Sequence, residues 1–584
     1  MRRGGRAARR SRRAPAARSG TAAPRAGHFL ETPLAAFAAV VALLWRYRDA
    51  FHLPFLNDDY VFLDATAHRA FASLWGFDRL FFHWWRPWSR EGHYWLLQRL
   101  GGASEPLFHL ANFGLAFVAL ALFHDLARAL LGSARAVFAL AAVAAMSAWA
   151  LPLLWAAGAQ DLWMLVWSLA ALAAWRRERR ALAFAAYALA LASKETAAPL
   201  PLLFVAWDVF AGRGALPGAL LRALPAAAIA LPWALLHPHL GGRWLRHVAV
   251  EAAPASVQLA GPLAFGRSVL ALASADAPPA PAAGWPAALL EALPATLLLG
   301  ALVLAGAMLA PRHERSLRGA VPFGLAWCAC GWLPLLLPGL GWHAYYGLFG
   351  AFGAWLALAA LARPGGLAAA VVALLTFTAS ARDSTPSLDW GDAYYQRRAG
   401  ILLGTLRERL LEQAPRPEPH TRFWFVALPN NIGFLQADGP ALRVWYGDST
   451  LRAGFFSAWR PAAPGTPGAD RFFKLQEGAR WTELVPGRED VRAALAANPR
   501  WGQDHLSLGR TFADAGEWEM AEREFAKVAQ ALPREAEPAY NLAICRANLG
   551  DSLGMARWMR EARRRPVVSE RLRTAARASG LDFW

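Results

Sequence analysis

Two adjacent carboxylates, Asp58 and Asp59, follow the first long apolar segment of the chain, within Asn57-Asp58-Asp59-Tyr60. Charged groups at the edge of a membrane are costly to bury, so an acidic pair there needs a reason. Because desolvation raises the pKa of a carboxylate, such a group can take the proton of an acceptor hydroxyl. The alternative is a structural role, in which Asn57 or Asp58 caps the helix that begins near Tyr60.

Two arginines and one lysine could supply the positive charge that a departing phosphate requires. Arg86 and Arg90 lie in a loop rich in tryptophan, and Lys194 precedes Glu195 in an otherwise apolar run. Guanidinium and ammonium groups bind phosphate oxygens and stabilise a leaving phosphate. The alternatives are an interfacial helix whose arginines extend to lipid headgroups and an internal Lys194–Glu195 ion pair.

Four further residues are candidates for contact with substrate. His109 and Asn112 are three positions apart in a predicted helix and would share one face; a packing role is the alternative. His343 and Tyr345 lie near a predicted membrane boundary, where they would line a sugar pocket or belong to an aromatic belt. Asp161, at the end of another predicted helix, is a weaker candidate.

The composition indicates that these residues are positioned by membrane helices. Of the 584 residues 56% are hydrophobic, and the mean hydropathy is +0.23, which is typical of a polytopic membrane protein. A spanning helix needs about 20 apolar residues. The stretch 255–275 is apolar but contains Pro and Gly, which favours an interfacial or re-entrant segment. The predicted spans are 29–50, 106–127, 134–155, 158–175, 181–194, 196–211, 216–237, 286–310, 320–338, 343–362 and 366–381.

Basic loops orient these helices, since Arg and Lys concentrate on the cytoplasmic side. The first 26 residues contain nine arginines and no acid, and the later arginine-rich loops follow every second predicted span. This places the N-terminus in the cytoplasm. The loop with Asp58 and Arg86 and the turn at Lys194 then lie outside. Eleven spans also place the C-terminal part outside, in the periplasm if the protein is bacterial.

Four regions are predicted along the chain: a basic disordered N-terminus (1–28), the membrane domain (29–381), a small α/β segment with a linker (382–487) and helical repeats (488–584). Residues 421–429 and 441–447 are predicted strands around a turn at 430–433, and 461–468 is the linker. The repeats match the spacing of a 34-residue tetratricopeptide unit, with neighbouring helices at 488–497 and 568–578. The matched positions are Leu508, Gly509, Phe512, Gly516, Ala521, Phe525 and Pro533, with a weaker copy at Leu542, Gly550 and Ala562.

Other classes of site receive little support. The net charge of +19 comes mainly from arginine throughout the chain, and no basic–aromatic module indicates a nucleic-acid partner. Cys328 and Cys330 stand in an apolar run without a histidine cluster, so they are predicted to pack between helices. Asp58 and Asp59 could ligate a divalent cation, but no further acidic cluster supports a metal site.

Taken in order, these motifs resemble the GT-C glycosyltransferases. The resemblance rests on the acidic pair at Asp58, the following Arg86-Pro87, the run from Leu107 to Asn112 and the turn 193–195. It is strongest to the protein O-mannosyltransferases, including the branch with C-terminal tetratricopeptide repeats. Two motifs depart from the family: position 116 is alanine where histidine is common, and His343-Ala344-Tyr345-Tyr346 replaces an Arg-Tyr motif.

The resemblance implies a mainly α-helical membrane enzyme with a polyprenyl-phosphate-linked sugar as donor. Asp58 or Asp59 would be the catalytic base, and the acceptor would be a protein or a glycan. The repeats would bind the acceptor protein or an assembly partner. A membrane-anchored repeat scaffold without enzymatic activity and a lipid-handling or transport protein are the competing hypotheses.

Overall fold

The computed structural model describes most of the membrane domain and parts of the C-terminal region. The described residues are 30–76, 84–212, 214–237, 260–309, 317, 319–336, 342–387, 389–426, 438–455, 465, 467–484, 505–506, 509–510, 512–514 and 516–578. The predictions for the basic N-terminus, the turn at 430–433, the helix at 488–497 and most of the linker at 461–468 lie outside these residues.

Helices dominate the membrane domain. The first is short, Glu31–Arg46, and is followed by Asp58–Thr66, His93–Gly101 and Glu105–Leu131. Six helices in the described part are long and apolar enough to cross a membrane, which supports an integral membrane protein. The others in this domain are Ser133–Ala145, Ala150–Leu154, Ala159–Arg176, Arg180–Leu191, Leu200–Ala206, Leu216–Ala223, Ala227–Leu236, Ala260–Ala271, Trp285–Leu309, Ala320–Trp332, Leu348–Leu361 and Gly366–Asp383.

Each of the eleven predicted spans overlaps a helix, but the lengths differ. The segment at 134–155 is a pair of helices bent by 62°, and would be a seventh span if counted as one. Arg180–Leu191 and the apolar helix Ala320–Leu336 are shorter than a full span. The predicted re-entrant stretch contains the helix Ala260–Ala271. The number of spans therefore stays a prediction.

Small residues set the helix packing. Ala320–Trp332 crosses Leu348–Leu361 so closely that a Cβ added to Gly331 would lie 2.5 Å from the Cα of Gly350. Close backbone approach of this kind is how helices associate without a hydrophobic driving force in lipid. The surrounding core is rich in alanine and leucine, and Cys328 and Cys330 are unpaired and half-buried.

A break between residues 146 and 158 brings irregular backbone to one end of the helix bundle. The freed carbonyl groups of Leu153, Pro152 and Trp155 accept hydrogen bonds from the buried side chains of His109 and Asn112 at 3.0–3.1 Å. Irregular backbone packed among apolar helices is tolerated where such partners satisfy its polar groups. This break supplies one wall of the candidate site.

The segment after the membrane domain forms a small α/β unit, with a long helix at Ala393–Gln413. The sheet order is β2-β1-β3-β4; β1 is parallel to β2 and β3, and β3 is antiparallel to β4. The strands are β1 (Arg422–Val426), β2 (Arg452–Phe455), β3 (Asp470–Gln476) and β4 (Arg480–Leu484).

One predicted strand was wrong, because residues 441–447 belong mainly to the helix Pro440–Tyr446. Pro440 fits the first turn of a helix, where its missing N–H costs nothing, and Gly447 ends the helix in a left-handed conformation (φ 64°). The helix packs on Asp58–Thr66: Arg443 binds Asp64 through two nitrogens at 2.9 Å. The α/β unit therefore supports the helix that begins with Asp58.

The C-terminal region consists of helices joined by short connections: Trp518–Ala531, Ala536–Asn548, Ser552–Arg564 and Glu570–Ala578. Ala521, Phe525 and Leu542 are buried in one small core. A Cβ on Gly509 would lie 2.6 Å from the Phe525 ring, so this position accepts only glycine without repacking. The assignment of these helices to tetratricopeptide repeats stays a prediction.

Candidate functional site

Asp59 is held rigidly at the start of the helix Asp58–Thr66. Its side chain is 1% exposed and accepts hydrogen bonds from the backbone N–H groups of Leu56 (2.8 Å) and Ala157 (2.9 Å) and from the Tyr94 hydroxyl. Burial raises the pKa of Asp59 to about 7, although the hydrogen bonds act in the opposite direction. Asp59 thus joins the segment before this helix to the helix break, and both of its oxygens accept hydrogen bonds from the protein.

Asp58 has a different environment. Its side chain is half-buried, and no described group donates a hydrogen bond to it. Burial raises the pKa of Asp58 to about 6, and the positive charges of Arg90 and Arg86 lower it. A carboxylate without a hydrogen-bond partner among the described residues, and near enough to two guanidinium groups for their charge to lower its pKa, has the properties of a general base.

Helix capping does not account for this pair. Asn57 occupies the N-cap position but makes no side-chain cap hydrogen bond, and its φ of 48° is unusual for a residue other than glycine. The helix begins at Asp58, so both acids lie in its first turn, where the helix dipole stabilises negative charge. The alternative of a side-chain cap from Asn57 or Asp58 is therefore not formed.

The tryptophan-rich loop is fixed against the turn that contains Lys194. The Ser89 hydroxyl donates to the carbonyl of Ser193 at 2.6 Å, and the backbone N–H of Trp88 donates to the carbonyl of Ala192 at 3.2 Å. The loop forms a π-helical turn at Pro87–Gly92, a feature frequent at functional sites. Segments more than 100 residues apart thus meet at one end of the bundle.

Arg86, Lys194 and Glu195 form ion pairs that differ from the Lys194–Glu195 pair considered from the sequence. Arg86 pairs with Glu195, and its Nη1 donates to Gln160 at 2.8 Å. Lys194 Nζ donates to both oxygens of Asp161, at 2.6 and 2.7 Å. The predicted alternative of an internal Lys194–Glu195 pair was wrong, because the two side chains take partners from other elements.

The ion pair with Arg86 also fixes the charge of Glu195. Burial raises the pKa of Glu195, but the charge of Arg86, its hydrogen bonds and the charge of Lys194 outweigh this, and the pKa is lowered overall. Arg90 is fully buried, pairs with Glu91 and donates to the carbonyl of Trp84 at 2.8 Å. Both arginines are therefore oriented by protein groups.

His109 and Asn112 lie behind the site. Both are at most 1% exposed, and their polar nitrogens are bound to carbonyl groups of the helix break. This geometry favours a positioning role, since the break carries Ala157, which donates to Asp59. Direct contact of His109 and Asn112 with a substrate stays a prediction.

Aromatic side chains form the wall opposite Asp161. Lys194 Nζ lies 5.2 Å from the ring centre of Tyr345 and 4.8 Å from that of Tyr346, which is within range of cation–π attraction. His343 stacks on Tyr345, and its Nδ1 lies 2.7 Å from Asp389 Oδ1. The predicted candidates His343 and Tyr345 are therefore adjacent to the buried Lys194–Asp161 pair.

Sequence reasoning missed several residues of this end of the bundle. Gln160 and Asp161 hold Arg86 and Lys194, although only Asp161 was considered, as a weaker candidate. Arg267 is exposed, stacks on Trp342 with 4.1 Å from guanidinium carbon to ring centre, and forms no ion pair with any described residue. The sequence signal that could have identified Arg267 is its position in the apolar stretch 255–275, which was predicted to be interfacial or re-entrant.

A divalent cation has no evident site in the described part of the chain. No group of three or more His, Cys, Asp or Glu side chains there is arranged to hold a metal ion. Asp59 uses both oxygens for protein hydrogen bonds, so Asp58 has no second free carboxylate next to it. The described residues therefore do not fit the cation site considered from the acidic pair.

Comparison with known proteins gives two structural matches. No protein-family model and no curated protein matches the chain. The crystal structure of ArnT from Cupriavidus metallidurans bound to undecaprenyl phosphate matches with TM-score 0.39 and 14% identity, over 82% of this chain and 91% of that chain. The apo structure of the same protein gives 0.34 and 14%, over 73% and 86%.

Proposed function

We propose that the protein is an inverting membrane glycosyltransferase that uses a polyprenyl-phosphate-linked sugar as donor and a protein or glycan as acceptor. The observation that carries the proposal is the half-buried, unpaired carboxylate of Asp58 beside Arg86 and Arg90. The lipid-linked donor fits a site at the end of apolar helices. The site faces the extracytoplasmic side in the orientation given by the basic loops, in a bacterial inner membrane.

Asp58 acts as the general base in this reaction. It takes the proton of the acceptor hydroxyl, whose oxygen attacks the anomeric carbon of the donor. The bond between that carbon and the phosphate oxygen breaks, and the polyprenyl phosphate leaves with the bonding electrons. Attack from the side opposite to the leaving group inverts the configuration at the anomeric carbon.

Positive groups stabilise the charge that develops on the departing phosphate. Arg86, Arg90 and Lys194 are each held by a carboxylate, so they are oriented but partly neutralised. Arg267 has an exposed guanidinium group that forms no close ion pair among the described residues, although its charge helps to lower the pKa of Asp389. We assign Arg267 the first contact with phosphate, and the buried cations stabilise the charge at shorter range.

The C-terminal helices supply an additional binding function. As tetratricopeptide-type repeats they would bind the acceptor protein or an assembly partner, and together with the membrane domain they would match the branch of the protein O-mannosyltransferases that carries such repeats. The Phe525 ring is buried with Ala521 and packs against Gly509, and this packing supports a repeat-like core.

The test is a transfer assay in membrane fractions with radiolabelled polyprenyl-phosphate sugars. We expect label transfer by the wild type, and loss of transfer by Asp58→Asn with unchanged protein level. The control is Asp438→Asn, an exposed carboxylate of the α/β unit that pairs with Arg452, which should retain transfer. Equal transfer by wild type and Asp58→Asn would overturn the role of Asp58. No transfer with any donor sugar would favour the scaffold or lipid-handling hypothesis.

A further inference from the structure

Trp390 is an exposed aromatic residue inside an otherwise enclosed group of rings. It lies after the helix Gly366–Asp383 and is 36% exposed. Its ring centre lies 4.1 Å from that of His343, 5.8 Å from Trp155 and 6.2 Å from Tyr345. Trp155 in turn donates to the carbonyl of Leu56 at 3.2 Å, so Trp390 connects the segment before Asp58 with the aromatic wall beside Lys194.

The loop that carries Trp390 is fixed by its own hydrogen bonds. The Gly391 N–H donates to Asp389 Oδ1 at 2.9 Å, and Gln396 donates to the carbonyl of Trp390 at 2.6 Å. A Cβ on Gly391 would lie 2.5 Å from His343 Nδ1, so glycine allows the backbone to contact the imidazole. The exposed indole face is thus preorganised and does not have to be ordered when a ligand binds.

The groups around this face match the chemistry of a sugar. One face of a pyranose presents C–H groups with a slight positive charge, which stack on the negative face of an aromatic ring. Sugar hydroxyls need hydrogen-bond acceptors beside that face. Asp389 provides one, because its Oδ2 receives no hydrogen bond from any described group and its side chain is 29% exposed.

We propose that Trp390 is the platform on which the donor sugar ring stacks, and that Asp389 Oδ2 accepts hydrogen bonds from its hydroxyl groups. The identity of the donor as a lipid-linked sugar rests on the function proposed above. Trp390 lies between Trp155, which is bonded to Leu56 just before the Asp58 helix, and Tyr345, which lies beside Lys194. A sugar on this ring would therefore be close to both the segment of the base and a buried cation.

A membrane-belt tryptophan is the competing explanation, and the chain contains a residue for comparison. Trp285 begins the spanning helix Trp285–Leu309 and is 47% exposed. It has no aromatic neighbour among the described residues, as expected for a ring that faces lipid headgroups. Trp285→Ala is therefore the matched control for Trp390→Ala.

The experiment measures binding of two lipids to the purified full-length protein in detergent by native mass spectrometry. One lipid is polyprenyl phosphate and the other is the same lipid with a hexose. We expect the wild type to bind the hexose-bearing lipid more tightly. Trp390→Ala should lose about tenfold in affinity for this lipid, with unchanged affinity for the sugar-free lipid, because the variant removes the aromatic face on which the sugar stacks.

Further variants keep the result interpretable. Trp390→Phe should retain most of the preference for the hexose-bearing lipid, Asp389→Asn should weaken it, and Trp285→Ala should leave it unchanged. A wild-type preference that both Trp390→Ala and Asp389→Asn preserve would overturn the sugar platform while leaving the glycosyltransferase proposal intact. If the wild type binds neither lipid, the proposed function itself fails, and the platform with it.

Discussion

Two clusters of charge at the two ends of the helix bundle have similar compositions and different environments. The Asp58-end cluster contains Arg86, Glu195, Lys194 and Asp161, and the Asp125-end cluster contains Asp125, Arg176, Arg177, Arg128 and Glu31. Asp161 and Arg176 stand at the two ends of one helix, Ala159–Arg176, about 22 Å apart at 1.5 Å per residue.

The two clusters differ most in one pair each, Lys194–Asp161 and Arg177–Asp125, whereas the Arg86–Glu195 and Arg176–Asp125 pairs are similarly buried. The side chains of Lys194 and Asp161 are 6% and 10% exposed, whereas those of Arg177 and Asp125 are 49% and 19% exposed. Burying an ion pair costs several kcal/mol for each ion, so hydrophobic side chains would often be as stable. The Asp125-end cluster is explained by arginines that extend to headgroups. Extension to headgroups does not explain the buried Lys194–Asp161 pair of the Asp58-end cluster, and this supports a functional role for the pair.

The largest expected effect concerns the unpaired acid of the Asp58 end. Asp58→Asn should lower the transfer rate by roughly 10²–10⁴-fold, the usual contribution of a general base. The thermal unfolding midpoint in detergent should stay unchanged, because no described group is hydrogen-bonded to Asp58. A variant that unfolds earlier and transfers sugar at the wild-type rate per folded molecule would reverse this assignment.

Breaking a buried pair should affect stability most. Lys194→Met leaves the carboxylate of Asp161 buried without its partner, and we expect a loss of about 3–5 kcal/mol, measured by thermal unfolding in detergent. The double variant Lys194→Met/Asp161→Leu should recover much of this loss but not the transfer activity. If the double variant retains activity, the pair has only a structural role.

Asp59 tests the contrast between the two adjacent acids. Asp59→Asn replaces an acceptor of three hydrogen bonds by a side chain with one acceptor oxygen, and should cost about 1–3 kcal/mol. Activity should fall only in proportion to the amount of folded protein. A loss of activity as complete as that of Asp58→Asn in a stably folded variant would make Asp59 the base instead.

The pH dependence of transfer tests whether Asp58 is the group that must be ionised. The base must be ionised, and the pKa of Asp58 is raised to about 6, so kcat/KM should fall as the pH decreases through about 6, tenfold per unit below it. The residual activity of Asp58→Asn should lack this limb. A profile with no change between pH 5 and 8 in the wild type would contradict Asp58 as the titrating group.

The smallest effect is expected at the opposite end of the bundle. Arg177→Gln removes a half-exposed partner of Asp125, and exposed ion pairs contribute about 0–1 kcal/mol. Thermal unfolding and transfer should both stay close to the wild type. A destabilisation as large as that of Lys194→Met would remove the distinction between the two clusters.

Much of the local structure could be predicted from the sequence. Runs of apolar residues predicted a helical membrane protein, and the helices overlap all eleven predicted segments, because spanning helices must satisfy their own backbone hydrogen bonds. The predicted strand at 441–447 was wrong, since Pro440 and Gly447 favour a short helix and seven residues give a weak strand signal. The bend within 134–155 was missed because apolar composition does not report a break that side chains from another helix satisfy.

The sequence by itself determined which residues carry charge in an apolar chain, and hence the candidates Asp58, Asp59, Arg86 and Lys194. Only the tertiary structure decided their partners and thereby separated the two acids. Asp59 is bound by Tyr94 and by Ala157, 98 residues away, while Asp58 is left without a partner. The physical reason is that burial and hydrogen bonding depend on elements distant in sequence, and these set whether a carboxylate is a structural anchor or a base.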